Sequence, residues 1–527
     1  MPILATLAGI SAHLLVFRIG DWDVASLYIF LGHVLAFSVA GFFSFTQYQV
    51  SVPDIMAHVG GYVFGLYISM LIYRAYFHRL HSYPGPFLAK LTNFYITALS
   101  VRKLQLFKVV QNLHAQHGDY VRLGPSELSI ADPAAVQALY GTASPTTKGP
   151  WYTLLEPRTP LFMARDKREH ARRRKVWDQG FSTKALTGYD HRITKAIKEL
   201  LHVIDRDHQQ PINITKWFNF FVFDVMEDLA FNKNSTMLRD GEEKYIFKTI
   251  RADMFNIAFF AHLPWLLPFL KRTPILNMKY LQFWDWIQRQ IDERIKSEPE
   301  QPDIFSWLLA EYSKSDKTQL DRWNLHGDAQ LIVVAGTDSV AATLTHTFFE
   351  LACDAGLMER VQKELDALPS LAHDNLIKVD LLDAVINETL RLHPPVPSGT
   401  QRVTPPEGLQ IGDKHIPGDT IVQVPSYTIF RDARAFEKPT EFIPERWTTR
   451  PDLIKDKSAF IPFNIGPYGC VGKRLAMMEI RRVVAEILSR YNLSLAPSQG
   501  KEAFLNGKQD TFTVVSAPLF LQFSRRE

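Results

Sequence analysis

The 527-residue chain has little cysteine, no excess of either charge and no compositionally biased segment, and each absence removes a class of protein. Two cysteines, Cys353 and Cys470, cannot build a disulfide framework or a CxxC zinc site, so a functional thiol must work alone. The balance of 59 basic against 55 acidic residues is too even for a dedicated nucleic-acid binder. Glycine and proline, at 27 and 31, sit near background, which excludes collagen-like and low-complexity chains. What is there is globular in composition, 46% hydrophobic and 22% charged, and long enough for one large domain or several ordinary ones.

Charge is also missing locally. Met1–Phe17, Val24–Pro53 and Ile55–Tyr73 contain no Asp, Glu, Lys or Arg. A bilayer core of about 30 Å needs roughly 20 apolar residues per helix, so the second and third runs are long enough and the first, with His13 inside it, is marginal. A cleaved signal peptide is one rival, but Met1-Pro2-Ile3-Leu4 has no basic n-region; buried core helices are the other. Three such runs ahead of any amphipathic segment predict a membrane anchor over residues 1–77, with two or three spans at about 3–18, 25–46 and 55–73. Arg74, Arg79 and Lys90 follow the last run, and the positive-inside rule then puts residues 78–527 on the cytosolic face.

After a stiff hinge at His81-Ser-Tyr-Pro-Gly-Pro86, hydrophobic periodicity predicts an α-rich domain with a small β portion. Helices are expected over Leu104–His117, Lys167–Phe181, His191–Asp207, Thr215–Phe231, Tyr280–Ser297, Asp328–Cys353, Leu357–Ala367 and Val379–Leu392. Strands are expected at Tyr120–Leu123 and Ile421–Val424, with a terminal pair, Thr511–Val515 and Leu519–Phe523, joined across Ser516-Ala517-Pro518. Sequons at Asn213, Asn234, Asn387 and Asn492 would go unused on a cytosolic domain.

The sharpest local signal is Phe463-Asn-Ile-Gly466-Pro-Tyr-Gly-Cys470-Val-Gly472, which delivers a cysteine onto the start of a helix expected over Val471–Tyr491. Backbone N–H groups at a helix start favour an anion, so the thiol pKa is expected to fall. The glycines permit close approach to something flat and large. An ordinary buried cysteine, or a nucleophile with a histidine partner elsewhere, fits the loop as well. Three further features narrow the choice. Glu388 and Arg391 share a helix face at i, i+3 in Asn387-Glu-Thr-Leu-Arg-Leu-His-Pro-Pro395. Arg446 in Phe442-Ile-Pro-Glu-Arg-Trp447 can close a network with them. Ala335-Gly-Thr-Asp-Ser339 breaks an apolar helix with a glycine that costs about 1 kcal/mol relative to alanine, which suggests a groove or kink.

Taken in this order from Tyr83 to the C-terminus, these elements resemble the cytochrome P450 superfamily of haem-thiolate monooxygenases, and the wording around them is similar to fungal microsomal members of secondary metabolism. The resemblance implies the P450 fold, with haem b held between a long distal helix and the thiolate loop. Cys470 would be the axial ligand of the haem iron, donating electron density that favours O–O cleavage. Phe463 would pack beside the sulfur, Gly466 and Gly472 would admit the porphyrin, and Glu388, Arg391 and Arg446 would brace the loop. His170, Arg174 and Arg402 would hold the haem propionates, with Asp338 and Ser339 as the proton relay. In the same family the regions matching Trp217–Phe223 and Phe255–Leu270 roof the substrate cavity.

Two departures stand out. Two residues before the thiolate, where most members carry arginine or histidine, this chain has Tyr468, which offers a hydrogen bond but no charge, so another cation must compensate. The usual threonine after the distal acid is Ser339, whose rotamer is less fixed. The implied function is insertion of one atom of dioxygen into an apolar small molecule, with electrons passing from NADPH through a separate flavoprotein reductase at an endoplasmic reticulum membrane. The alternatives are a haem-thiolate isomerase, dehydratase or ring-forming oxidase, and a haem-binding membrane sensor without turnover. The basic stretch Arg165–Lys175, with Arg172 and Arg173 in it, together with Lys473 and Arg474, would steer an acidic reductase.

Overall fold

The computed structural model describes residues 2–233, 236–275 and 277–527, so the sequon at Asn234 lies outside the described residues. The first apolar run is helical over Pro2–Phe17, the second over Ser26–Tyr48 and the third over Val52–Phe77. The last two are long and apolar enough to cross a membrane, and the first is shorter. The first helix packs along the third through small residues, the contact apolar helices use in lipid; a Cβ on Gly65 would lie 2.1 Å from the Thr6 carbonyl oxygen. The second touches the soluble part: Ser26 Oγ donates to the Trp265 carbonyl at 2.6 Å, and Phe30 meets Phe269 edge-on.

The soluble part is built around one helix, Gln319–Cys353, buried on most of its surface from Leu325 onward. It begins nine residues before the expected Asp328 because Thr318 and Asp321 form a capping box, each side chain accepting from the other's backbone N–H. A second helix also starts early, at Thr183 where His191 is expected, because Ser182 caps it by accepting from the Ala185 N–H. Ile214–Phe231, Thr183–Asp207 and Lys473–Leu488 pack with the long helix into the main hydrophobic core.

The β portion is a set of small sheets. In one, Tyr120–Gly124 runs antiparallel to Glu127–Ile130, which pairs in parallel with Ile421–Gln423, and Arg402–Val403 closes the edge. This sheet carries Arg402 toward the interior. The expected terminal hairpin does not form. Phe512 takes φ of 82°, so Gln509–Thr511 folds back at once on Thr513–Val515. Phe520–Arg525 pairs instead with Tyr491–Leu495, where the helix expected to reach Tyr491 has ended at Leu488 and alternate side chains are buried.

Candidate functional site

A cavity of about 340 Å³ lies between the Gln319–Cys353 helix and the Cys470 loop. The loop is shaped by residues in the left-handed region: Asn464 has φ of 57° and Gly466 of 66°. A Cβ on Gly466 would sit 2.3 Å from the Tyr140 carbonyl oxygen, so no side chain fits there. The Cys470 N–H donates to the Phe463 carbonyl at 2.8 Å, closing the loop and turning the sulfur toward the cavity. Phe463 forms the adjacent wall. The following helix starts at Lys473, two residues later than expected, with Gly472 as its cap.

The expected fall in the Cys470 pKa is corrected. The sulfur is open to the cavity but ringed by protein, and burial pushes the thiol above its ordinary value; the Gly472 N–H, Arg174 and the Lys473 N–H and charge pull the other way without prevailing. The deprotonation that the helix start does not supply is what a coordinated metal ion would impose. Gly472 points the same way. A Cβ there would meet only Phe181 at 3.7 Å and the Cys470 sulfur at 3.9 Å, so the protein does not demand glycine; the open space belongs to whatever fills the cavity.

Behind the loop the predicted ion network is present and saturated. Glu388, Arg391 and Arg446 are wholly buried. Arg391 donates to both Glu388 oxygens, at 3.0 and 2.7 Å, and Arg446 Nε donates to Oε1 at 2.9 Å. Two donors unforeseen from the sequence complete the shell: the Ile443 N–H to Oε1 and the Trp447 indole to Oε2, both at 2.9 Å. The remaining guanidinium N–H groups reach the carbonyls of Phe430, Pro439, Glu441, Glu437, Leu453 and Lys438. The segment Phe430–Leu453 is thereby fixed to the helix Asp380–Leu392.

At one end of the cavity cations outnumber the acids that pair with them. His170 and Arg174, one turn apart on the helix Lys167–Gly180, both line it, as does Arg402. Arg174 Nη1 donates to the Gly469 carbonyl at 2.6 Å and its Nε to Asp178. His170 stands edge-on to Tyr468, centroids 4.6 Å apart; burial and the charges of Lys148, Arg174, Arg173 and Arg402 hold it down to about 3, so it is neutral. Arg402 donates to the Tyr152 hydroxyl at 3.1 Å, while its Nε and the Tyr468 hydroxyl are buried without a hydrogen-bond partner. Lys148 joins this cluster without belonging to any motif in the sequence. Its signal was the lone charge in the stretch 141–155.

The opposite wall is the long helix, which stays helical through Gly336, and that glycine borders the cavity. Ser339 lines the cavity, its Oγ donating to the Ala335 carbonyl at 3.0 Å, and one turn on Thr343 donates to the Ser339 carbonyl at 2.8 Å. Asp338 does not itself line the cavity but is buried beside Thr513, a lining residue whose hydroxyl donates to it at 3.2 Å; burial raises its carboxyl above the ordinary value, against the pull of Arg251 and Thr513. Glu479 was also unforeseen: it borders the cavity, is wholly buried with Oε1 unpartnered, and burial pushes it up to about 8. Trp217–Phe223 is core, whereas Ile257 in the second aromatic segment lines the cavity beside Met226 and Met254.

Arg173 does not face a partner. It is buried, donating to the Thr159 carbonyl at 2.9 Å and to Asp328 at 2.6 Å, so the basic surface expected there consists of its exposed neighbours Lys167, Arg168, Arg172 and Lys175.

A lone thiol facing a broad cavity, with a rim of cations that lacks its anion, is the frame of a haem-thiolate protein, since haem brings a thiophilic iron at its centre and two carboxylates at its edge. The family model described as cytochrome P450 matches residues 84–523, and the chain belongs to that family. It is 51% identical over 465 residues to a cytochrome P450 monooxygenase of Eupenicillium brefeldianum, covering 88% of this chain and 95% of that one. It is 44% identical over 531 residues to one of Fusarium pseudograminearum, covering 98% and 96%. Tryprostatin B 6-hydroxylase of Aspergillus fumigatus is 34% identical over 525 residues, covering 97% and 94%. The chain is an oxidoreductase of this haem family, and its named relatives are fungal monooxygenases.

Proposed function

We propose that the protein inserts one atom of dioxygen into an apolar small molecule in fungal secondary metabolism. The observation that carries this reading is the placement of the Cys470 sulfur and the Ser339 hydroxyl on opposite walls of one largely apolar cavity. One oxygen atom enters a substrate C–H bond and the other leaves as water, consuming two protons and two electrons that NADPH provides through a separate flavoprotein reductase. When bound, haem supplies the dioxygen-activating iron, and the thiolate ligand favours O–O cleavage.

The chain's own residues have divided tasks. Cys470 ligates the iron, and Phe463 shields the sulfur. The Glu388–Arg391–Arg446 network holds the segment behind the loop, and His170, Arg174 and Arg402 hold the carboxylate edge. Ser339 Oγ, its one proton donated to the Ala335 carbonyl, keeps its lone pairs free to accept a hydrogen bond from a water and hold that water in place; passing a proton on requires the hydroxyl to turn from Ala335 into the cavity. Asp338, next to it in the chain, holds the cavity-lining Thr513 through that residue's hydroxyl. Glu479, on the helix that follows the thiolate loop, is kept protonated near neutral pH by burial and so adds no negative charge beside the thiolate. The substrate lies against Trp151, Phe162 and Phe512, with Met226 and Met254 as adaptable neighbours.

The apolar helices Ser26–Tyr48 and Val52–Phe77, followed by Arg79 and Lys90, support anchoring in the endoplasmic reticulum membrane with the catalytic domain in the cytosol. Two experiments test the proposal. Cys470→Ser must abolish the red-shifted band of the reduced carbon monoxide complex; its survival rejects Cys470 as ligand. Microsomes supplied with reductase, NADPH and candidate apolar metabolites must give a product that gains one oxygen atom from labelled dioxygen, whereas a rearranged or dehydrated product without the label rejects oxygen insertion.

A further inference from the structure

The cation-rich end of the cavity raises a question that its predicted members do not answer. Haem carries two carboxylates, and Tyr468 offers no charge where relatives place a basic residue. The Lys148 side chain fills that space. It is 2% exposed, borders the cavity, and holds its Nζ 4.5 Å from the centroid of the Tyr468 ring. Two of its three N–H donors are taken by the carbonyls of Phe162, at 2.7 Å, and Leu161, at 3.4 Å. The third has no protein partner, and among the described residues no carboxylate forms an ion pair with Lys148 or Arg402.

A buried ammonium with no counter-ion is expensive, and here the cost shows as a titration pulled down to about 6 by burial and by Arg402, Arg173 and Arg174. The groups facing it are cations, neutral His170 and aromatic rings: Tyr152, Phe162 and Tyr468 all lie within 6 Å of Nζ. Two carbonyls and three ring faces offset part of this cost, but no carboxylate among the described residues does, and an anion in the cavity would supply the missing charge. The Tyr468 hydroxyl, buried beside it and unpartnered, is the neutral donor that a carboxylate oxygen would also take up.

Resting on the reading that Cys470 holds haem in this cavity, we propose that Lys148 is the second propionate cation, replacing from the segment before Pro150 the charge that Tyr468 lacks in the thiolate loop. The lysine and the tyrosine hydroxyl then grip one carboxylate while Arg402 and Arg174 serve the other. The compensation is across space, from a segment over 300 positions away in sequence.

The test reads haem retention instead of turnover. Holoprotein is mixed with excess apomyoglobin, and the rate of haem transfer is followed by absorption for the wild type, Lys148→Met and Lys148→Arg, each loaded with haem or with haem dimethyl ester, which has no carboxylate charge. Lys148→Met is expected to lose haem about ten- to a hundredfold faster, the scale of one hydrogen bond to a charged group. Lys148→Arg should stay near the wild-type rate, and the Lys148→Met difference should vanish with the dimethyl ester. Equal acceleration for both porphyrins, or no acceleration, overturns the proposal. If Lys148→Met yields no holoprotein, Lys148→Met/Tyr468→Arg is measured in its place: recovered haem binding supports the compensation, and failure to recover it counts against it. Loss of the thiolate band in Cys470→Ser is read separately, so an error in the ligand is distinguishable from an error in the lysine.

Discussion

Two buried ionic clusters flank the Cys470 loop, and they are opposites. In the first, Glu388 stands between Arg391 and Arg446 with three hydrogen bonds on Oε1 and two on Oε2, and the remaining guanidinium N–H groups are spent on backbone carbonyls. In the second, Lys148, Arg174 and Arg402 surround neutral His170, only Arg174 among them pairs with an acid, Asp178 outside the cavity, and buried donor atoms lie idle. The first is complete as protein and holds a shape. The second is complete only with an anion from outside, and so marks a binding site. Perturbed charges are poor guides to function until the accounting of partners separates these cases.

The largest effect should come from the complete cluster. Glu388→Gln leaves two buried guanidinium groups short of their anion, at a cost of about 3–5 kcal/mol, read as a lower urea midpoint or as failure to recover folded protein. Trp447→Phe removes one donor to the same carboxylate and should cost about 1.5–3 kcal/mol in the same titration. Arg402→Met probes the other cluster: haem should dissociate faster while the stability of the haem-free protein stays within about 1 kcal/mol of wild type or rises, since like charges are relieved. An apoprotein loss as large as that of Glu388→Gln would erase the contrast.

Acid should separate the clusters more gently. His170 is held down to about 3 in the folded chain against about 6.5 when unfolded, so the unfolded state binds the extra proton between those values. The contribution is fully present above 6.5 and is lost as pH falls toward 3. His170→Asn should therefore flatten the decline in urea midpoint of the haem-free protein between pH 7 and pH 5; an unchanged slope removes His170 as its source. The smallest effect concerns the outer face of the same helix. Arg168→Glu with Lys175→Glu, both exposed and outside the cavity, should slow reductase-supported turnover several-fold at low salt, converging with wild type as ionic strength rises because such charges are screened over about 8 Å. Equal rates at low salt would make that face a solvated surface only.

The sequence carries the loop, the Glu388–Arg391 pair and the helical frame plainly, because each is local: adjacent residues fix one turn, one face or one reversal. It carries far less of what distant segments do to one another. Trp447 and Lys148 join their clusters through partners 59 and 14 positions away, at Glu388 and Phe162. The terminal strands pair otherwise than their alternation suggests because Phe512 reverses the chain within a strand-like run, and the competing edge at Tyr491–Leu495 decides the pairing. Arg173 looked like its exposed neighbours until Asp328, on another helix, drew it inward. The thiol was expected to acidify from its helix start alone, and enclosure outweighed that local field.

Gly336 in the long helix sets the cavity's capacity. A methyl group added there would come within 2.5 Å of the Met226 Cε and 2.7 Å of its sulfur, while the helix backbone would tolerate it. The thioether is unbranched and can swing, so the cheapest response is for Met226 to move into the space both residues border. A single hydrogen-to-methyl change in a rigid wall thus becomes a larger displacement in the facing roof. The size of the accepted molecule can drift by small steps in this way, with the thiolate loop, its bracing acid and the carboxylate rim all untouched.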